Sequence, residues 1–210
     1  MTRFLTPLIL FLFLYILPLQ AQQSDWKLEK SKDGIEIYTR SVPGSGFKEF
    51  RGIAQLEGSL QSVVAVLQDA DKFEDWMPST KRSNLIEAPS SGHKIMYVET
   101  SAPFPVSNRD GVYHYTFGDV TDAGSRVEID VQAVPGHLPE KKGIVRIQHT
   151  QGKWVITQTA PDRVQVLYQV HSEPGGSIPS WLANSAVVDI PFETLKRLQE
   201  RIRMPEYQVR

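Results

Sequence analysis

Cysteine is absent from this 210-residue chain. Its absence excludes disulfides, a thiol nucleophile, thiolate metal ligation and a lipid-modified cysteine, so the fold must rest on its core alone. Neither sign of charge predominates: 23 basic residues stand against 24 acidic ones, a net charge of −1. No broad basic field is offered to nucleic acid or to a purely electrostatic membrane anchor. Such a balance is compatible with transient contact with a membrane surface. The signatures of common catalytic chemistry are missing as well. There is no Gly-x-Ser-x-Gly, phosphate loop or dinucleotide fingerprint, and none of the five histidines stands in His-x-x-x-His spacing. No metal site is expected.

Long apolar runs are also lacking. An almost wholly apolar run, Phe4 to Leu19, follows a single base, Arg3, and leads into Leu19-Gln20-Ala21. It is short for a membrane span of about 20 residues. Its three-part pattern is that of a secretory signal peptide with a small residue at the cleavage point. Residues 1–21 are therefore expected to be removed near Ala21. Residues 22–210 then form one exported domain, periplasmic or secreted, and a monomer.

What is present is mostly strand. Asp25 to Lys32 is polar around Trp26 and Leu28 and reads as a short helical turn. Ile35 to Val42 and Phe47 to Leu56 flank Pro43-Gly44-Ser45-Gly46, the composition of a hairpin turn. In the second of these strands Phe50, Gly52, Ala54 and Leu56 share a face, and the small residues there predict a bulky neighbour. The period then changes. Leu60, Val63, Val64 and Leu67 recur at helical spacing behind Ser59, a plausible N-cap. Lys72 to Met77 suggests a second short helix, stopped by Pro78.

From Ser83 to Ser172 about six strands are expected, broken at Ser90 to Gly92, Asp122 to Gly124, Gly136 to Gly143, Gly152 and Pro161-Asp162. Alternation is cleanest at Val127, Ile129 and Val131 and again at Val164, Val166 and Tyr168, as in antiparallel strands with one wet face. Pro179 to Met204 reads as a helix with Val188, Phe192, Leu195 and Ile202 on one stripe. Pro191 should bend it or weaken one turn. Strands followed by one long helix imply an α+β fold in which a curved antiparallel sheet covers that helix.

Two corners carry a resemblance. Pro103-Phe104-Pro105 with Asn108-Arg109-Asp110 precedes an aromatic strand, and Pro174-Gly175-Gly176 with Ile178-Pro179 and Asn184 leads into the final helix. With Trp76-Met77-Pro78, Lys141 to Arg146, Gly152-Lys153-Trp154 and Tyr168 to His171, their order resembles the START lipid-transfer family. The resemblance implies a helix-grip fold: a curved antiparallel β-sheet wrapped around a long C-terminal α-helix, with an internal hydrophobic cavity. It also implies that one lipid is bound in a tunnel beneath that helix, and that it can be passed on, without catalysis or cofactor. Sterol-binding members can place a charged pair in the tunnel. Here the nearest positions carry Glu99 and Tyr113 or Tyr115.

A lipid site needs apolar wall and a few polar groups to fix a headgroup. Val131, Trp154, Ile156, Val166, Tyr168, Val188 and Phe192 are candidates for the wall, with ordinary core packing as the other reading. Tyr97, Glu99, Arg109, Tyr113 and Tyr115 are candidates for headgroup contact. Neighbouring strand residues face opposite ways, so at most one of Arg109 and Asp110 looks inward, and a structural ion pair is the alternative. Arg146 is expected on a wet face beside an acid. Asn184 is expected to serve backbone groups near the helix start, and Trp76-Met77 to form either a lid tip or core. Two other functions stand beside lipid binding. One is a helix-grip enzyme, cyclase- or hydrolase-like, on a small apolar substrate, with His114 the best catalytic candidate. The other is an adaptor that binds protein in its groove.

Overall fold

A computed structural model describes residues 25–208; the expected leader, 1–21, lies outside them. Ten strands form one sheet: β1 (Lys27–Lys32), β2 (Ile35–Arg40), β3 (Glu49–Glu57), β4 (Thr80–Ser90), β5 (His93–Thr100), β6 (Arg109–Phe117), β7 (Arg126–Ala133), β8 (Val145–Arg146), β9 (His149–Ala160) and β10 (Arg163–Glu173). Three α-helices accompany it, α1 (Leu60–Gln68), α2 (Phe73–Trp76) and α3 (Ser180–Arg201). The strand order is β1-β2-β3-β10-β9-β7-β6-β5-β4, antiparallel throughout, and β8 alone pairs in parallel, with β6. This is the helix-grip fold, with α3 held against the inner face of the sheet.

The inner face follows from alternation. Val127, Ile129 and Val131 on β7 are buried while Glu128, Asp130 and Gln132 are not. The same holds for Val164 and Val166 on β10. The small residues of β3 do face a bulky neighbour: a Cβ on Gly52 would come within 2.7 Å of Leu195 Cδ1. Glycine there lets α3 approach the strand closely. At α1, Ser59 Oγ accepts the amide of Ser62 at 3.1 Å, the expected cap. Gln158 Oε1 reaches across from β9 to accept the next orphan amide, that of Leu60, at 2.7 Å.

Two local expectations fail. Residues 27–32 are not a helical turn but the edge strand β1, paired with β2 from Lys27↔Thr39 to Lys32↔Ile35. An edge strand exposes both faces, so it leaves no period in the sequence. Gly152 is not a break but lies within β9, opposite Val170. The chain continues helically through Pro191, and the two sides of that residue differ in depth. Pro191, Phe192, Thr194, Leu195, Leu198 and Arg201 are buried, whereas no residue of α3 before Pro191 is.

Candidate functional site

The middle of α3 borders a cavity of about 220 Å³ on the inner face of the sheet. β6 supplies Tyr113 and Tyr115, β7 Val131, β9 Trp154 and β10 Tyr168; Met77 and Pro78 close one side, and Ile190 and Thr194 come from α3. Trp154 and Tyr168 are register partners on adjacent strands, and their rings stack 3.7 Å apart at 8°. Phe50 meets Tyr168 edge-on, with centroids 5.0 Å apart.

The wall is rich in hydroxyls and carries no charged side chain. Thr80, Thr100, Thr150, Ser172 and Thr194 join the three tyrosines there. Burial pushes the Tyr113 phenol up to about 12 and holds Tyr115 well above its usual range, with Tyr168 raised for the same reason. All three are therefore neutral donors at physiological pH. Trp154 is fully buried, and its indole N–H finds no acceptor among the described residues. A larger recess of about 330 Å³ on the outer face is lined by Arg40, Glu49, Asp130, Lys153 and Gln169. Its polar groups bond to one another, Gln169 to Glu49 at 2.6 Å for example, as on a solvated surface.

The other expected site residues are placed elsewhere. Tyr97 and Glu99 lie on the opposite face of β5, because Val98 and Thr100 are the ones that look inward. Glu99 does have a basic partner, Lys81 at 3.0 Å. Burial works to raise that carboxyl, but hydrogen bonds from Lys81 and Asn108 outweigh it and leave it below the usual range. Ile156, Val166 and Phe192 belong to the core, with Val188 packed against it. Trp76 is also core, while Met77 reaches the cavity. Asn184 accepts the Lys48 amide at 2.9 Å and donates to the Gly46 carbonyl at 3.2 Å.

Arg109 and Asp110 do not pair with each other. Asp110 accepts two bonds from Arg146, at 2.8 and 3.0 Å, and both residues are buried, so Arg146 is not on a wet face. Arg109 instead donates to the carbonyls of Ser107 and Gly175. His114 shares a face with Asp110, not with the cavity tyrosines on β6. Its Nε2 lies 3.0 Å from His93 Nδ1. The cavity wall thus offers neither imidazole nor carboxylate for proton transfer.

The START domain family model matches residues 15–206. The chain belongs to this family. An uncharacterized protein of Pseudomonas aeruginosa is 36% identical over 179 residues, 85% of this chain and 87% of that one. The phosphatidylcholine transfer protein of Rattus norvegicus is 32% identical over 167 residues, covering 78% of this chain and 77% of the relative. The crystal structure of a StAR-related lipid transfer protein fragment from Xanthomonas axonopodis is similar at 46% identity and a TM-score of 0.79, covering 86% and 99% of the two chains. Among these START relatives, the two named for a function are lipid-transfer proteins.

The sequence reading of the START cavity missed Thr80, Val98, Thr100, Thr150, Val170, Ser172, Ile190 and Thr194. Val170 was legible, since it alternates with Tyr168. For Val98 and Thr100 the alternation of β5 was visible, but which of its faces turns inward was not.

Proposed function

We propose that this protein binds one lipid in the cavity beneath α3 and carries it across an aqueous compartment, acting without catalysis. The observation that carries the reading is the wall itself, aromatic and aliphatic surface dotted with neutral hydroxyls and no charge. Apolar burial is worth about 25 cal/mol per Å², so acyl chains supply most of the affinity. The unpartnered Trp154 N–H and the protonated phenols suit acceptors such as ester carbonyls. The cavity is smaller than the roughly 300–1,000 Å³ of typical ligand sites. A whole lipid therefore enters by displacing the first half of α3, the half without buried residues. Phe104 is 97% exposed and Trp181 71% exposed. Both are suited to touch a membrane surface during loading.

The test is to purify the protein gently, extract it with organic solvent and identify what it holds by mass spectrometry. A stoichiometric lipid supports the carrier. An empty protein that also ignores a broad panel of offered lipids overturns it. Export is proposed on the leader pattern at residues 1–21. N-terminal sequencing of protein from fractionated cells should begin at Gln22, and an intact Met1 in the cytosol would refute export.

A further inference from the structure

Two buried guanidinium groups stand close together at the start of β6 and on β8, and they are served very differently. Arg146 uses all five of its donors: Nε and Nη2 on Asp110, Nη1 on the carbonyls of Pro135 and Leu138, and Nη2 also on that of Pro139. Arg109 is only 6% exposed, yet no carboxylate pairs with it among the described residues. Its Nη1 donates to the Ser107 carbonyl and its Nη2 to that of Gly175 at 3.4 Å, while Nε has no acceptor. Desolvation alone accounts for the lowering of its pKa. A buried charge normally has a counter-charge; here none of the described residues supplies one.

Its position says where the missing anion belongs. Residues 109, 111, 113 and 115 of β6 share the face that looks into the cavity. Thr100, the register partner of Arg109, lines that cavity. Between Arg109 and Tyr113 lies Gly111, and the Tyr113 phenol folds back over it so closely that any Cβ would collide with the hydroxyl. Thr150 lines the cavity with Tyr113 and meets Ser172 at 2.7 Å. Neutral hydroxyls thus run from the cavity toward an uncompensated cation at its rim. The two loops Arg109 ties together carry Phe104 and lead into Trp181, both exposed.

We propose that Arg109 is an oxyanion receptor at the rim of the cavity, taking the phosphate of a lipid headgroup while the acyl chains enter the uncharged interior. The inference rests on the reading that the cavity holds a lipid. A planar guanidinium with free donors matches phosphate oxygens, and the hydroxyls of Tyr113 and Thr100 add donors to a group with several acceptors.

The experiment compares phosphatidylcholine with diacylglycerol of the same acyl chains, each offered to wild type, Arg109→Gln and Arg109→Lys, with thermal unfolding alongside. Wild type should prefer the phospholipid. Arg109→Gln should lose phosphatidylcholine affinity by about 10- to 100-fold, the worth of charge-assisted hydrogen bonds, and keep its diacylglycerol affinity. Arg109→Lys should fall between. If both affinities drop together, Arg109 only holds the loops, and the proposal fails. Equal binding of the two lipids by wild type also sinks it while leaving the carrier intact. Binding of neither lipid sinks the proposal, and the carrier then stands or falls on the broad lipid panel. Inorganic phosphate is the remaining arm. If it stabilises lipid-free wild type but not Arg109→Gln, and the lipids are not distinguished, the occupant is a free anion and the lipid source is refuted.

Discussion

Tyr168 lies flat against Trp154, ring to ring at 3.7 Å, and together they floor the cavity under α3. Replacing Tyr168 with Glu sets a carboxylate into a wall that has no charge. Lipid binding should be abolished and stability should fall by about 1–3 kcal/mol. Tyr168→Leu, apolar and smaller, should retain binding. Lipid titrations run beside urea denaturation separate the effects, and binding preserved in the Glu variant would remove Tyr168 from the wall.

Asp110 compensates Arg146 on the other face of the sheet. Asp110→Asn leaves that guanidinium buried beside a neutral amide and should cost about 3–5 kcal/mol. Because the pair faces away from the cavity, lipid preference should not change. A urea midpoint equal to that of the wild type would show that the carbonyls of residues 135–139 suffice.

Gly52 sets how closely α3 approaches β3. Gly52→Ala presses a methyl against Leu195 and should destabilise by about 1–3 kcal/mol. In a Leu195→Ala background the same substitution should cost much less, since the clash loses its main partner. Independent, additive effects in the double-mutant cycle would contradict the contact.

The cavity tyrosines set the alkaline limit. In the unfolded chain they ionise near pH 10, whereas in the folded protein burial keeps them protonated, Tyr113 to about pH 12. Their contribution is fully present below pH 10 and is lost as pH rises from 10 through 12, because only the unfolded chain releases the protons. Tyr113→Phe should make that decline shallower in alkaline unfolding followed by circular dichroism.

Phe104 and Trp181 are exposed enough to change without touching the core. Phe104→Asp and Trp181→Asp should leave lipid binding and thermal unfolding as they are. Each should slow transfer between vesicles by about tenfold, the worth of one aromatic side chain withdrawn from the lipid interface. Unchanged transfer rates in both variants would exclude these residues as the docking points.

Much of the fold was legible because it is written in local patterns. The alternation of β7 and β10, the cap and period of α1, and the small residues facing α3 all survive intact in the structure. Tyr113, Tyr115, Val131, Trp154 and Tyr168 were named from sequence and do line the cavity. Tyr97 and Glu99 were named as candidates for headgroup contact although the pleat of β5 turns them away from the cavity, and Arg146 was placed in water although it is buried. Each of these errors concerns which partner or which side a residue meets. β1 escaped notice for the same reason: a polar edge strand is a strand only because β2 is there to pair with it.

The amino-acid sequence by itself determined the periods, the turns, the lack of any cysteine crosslink and the family to which the chain belongs. Those are properties of neighbouring residues or of their order along the chain. Tertiary structure alone decided which face of the sheet became the inner one, where α3 lies across it, and that Asp110 goes to Arg146 and leaves Arg109 without a counter-charge among the described residues. Pleating makes side chains alternate, but only the pairing of distant strands and the docking of α3 give that alternation an inside and an outside.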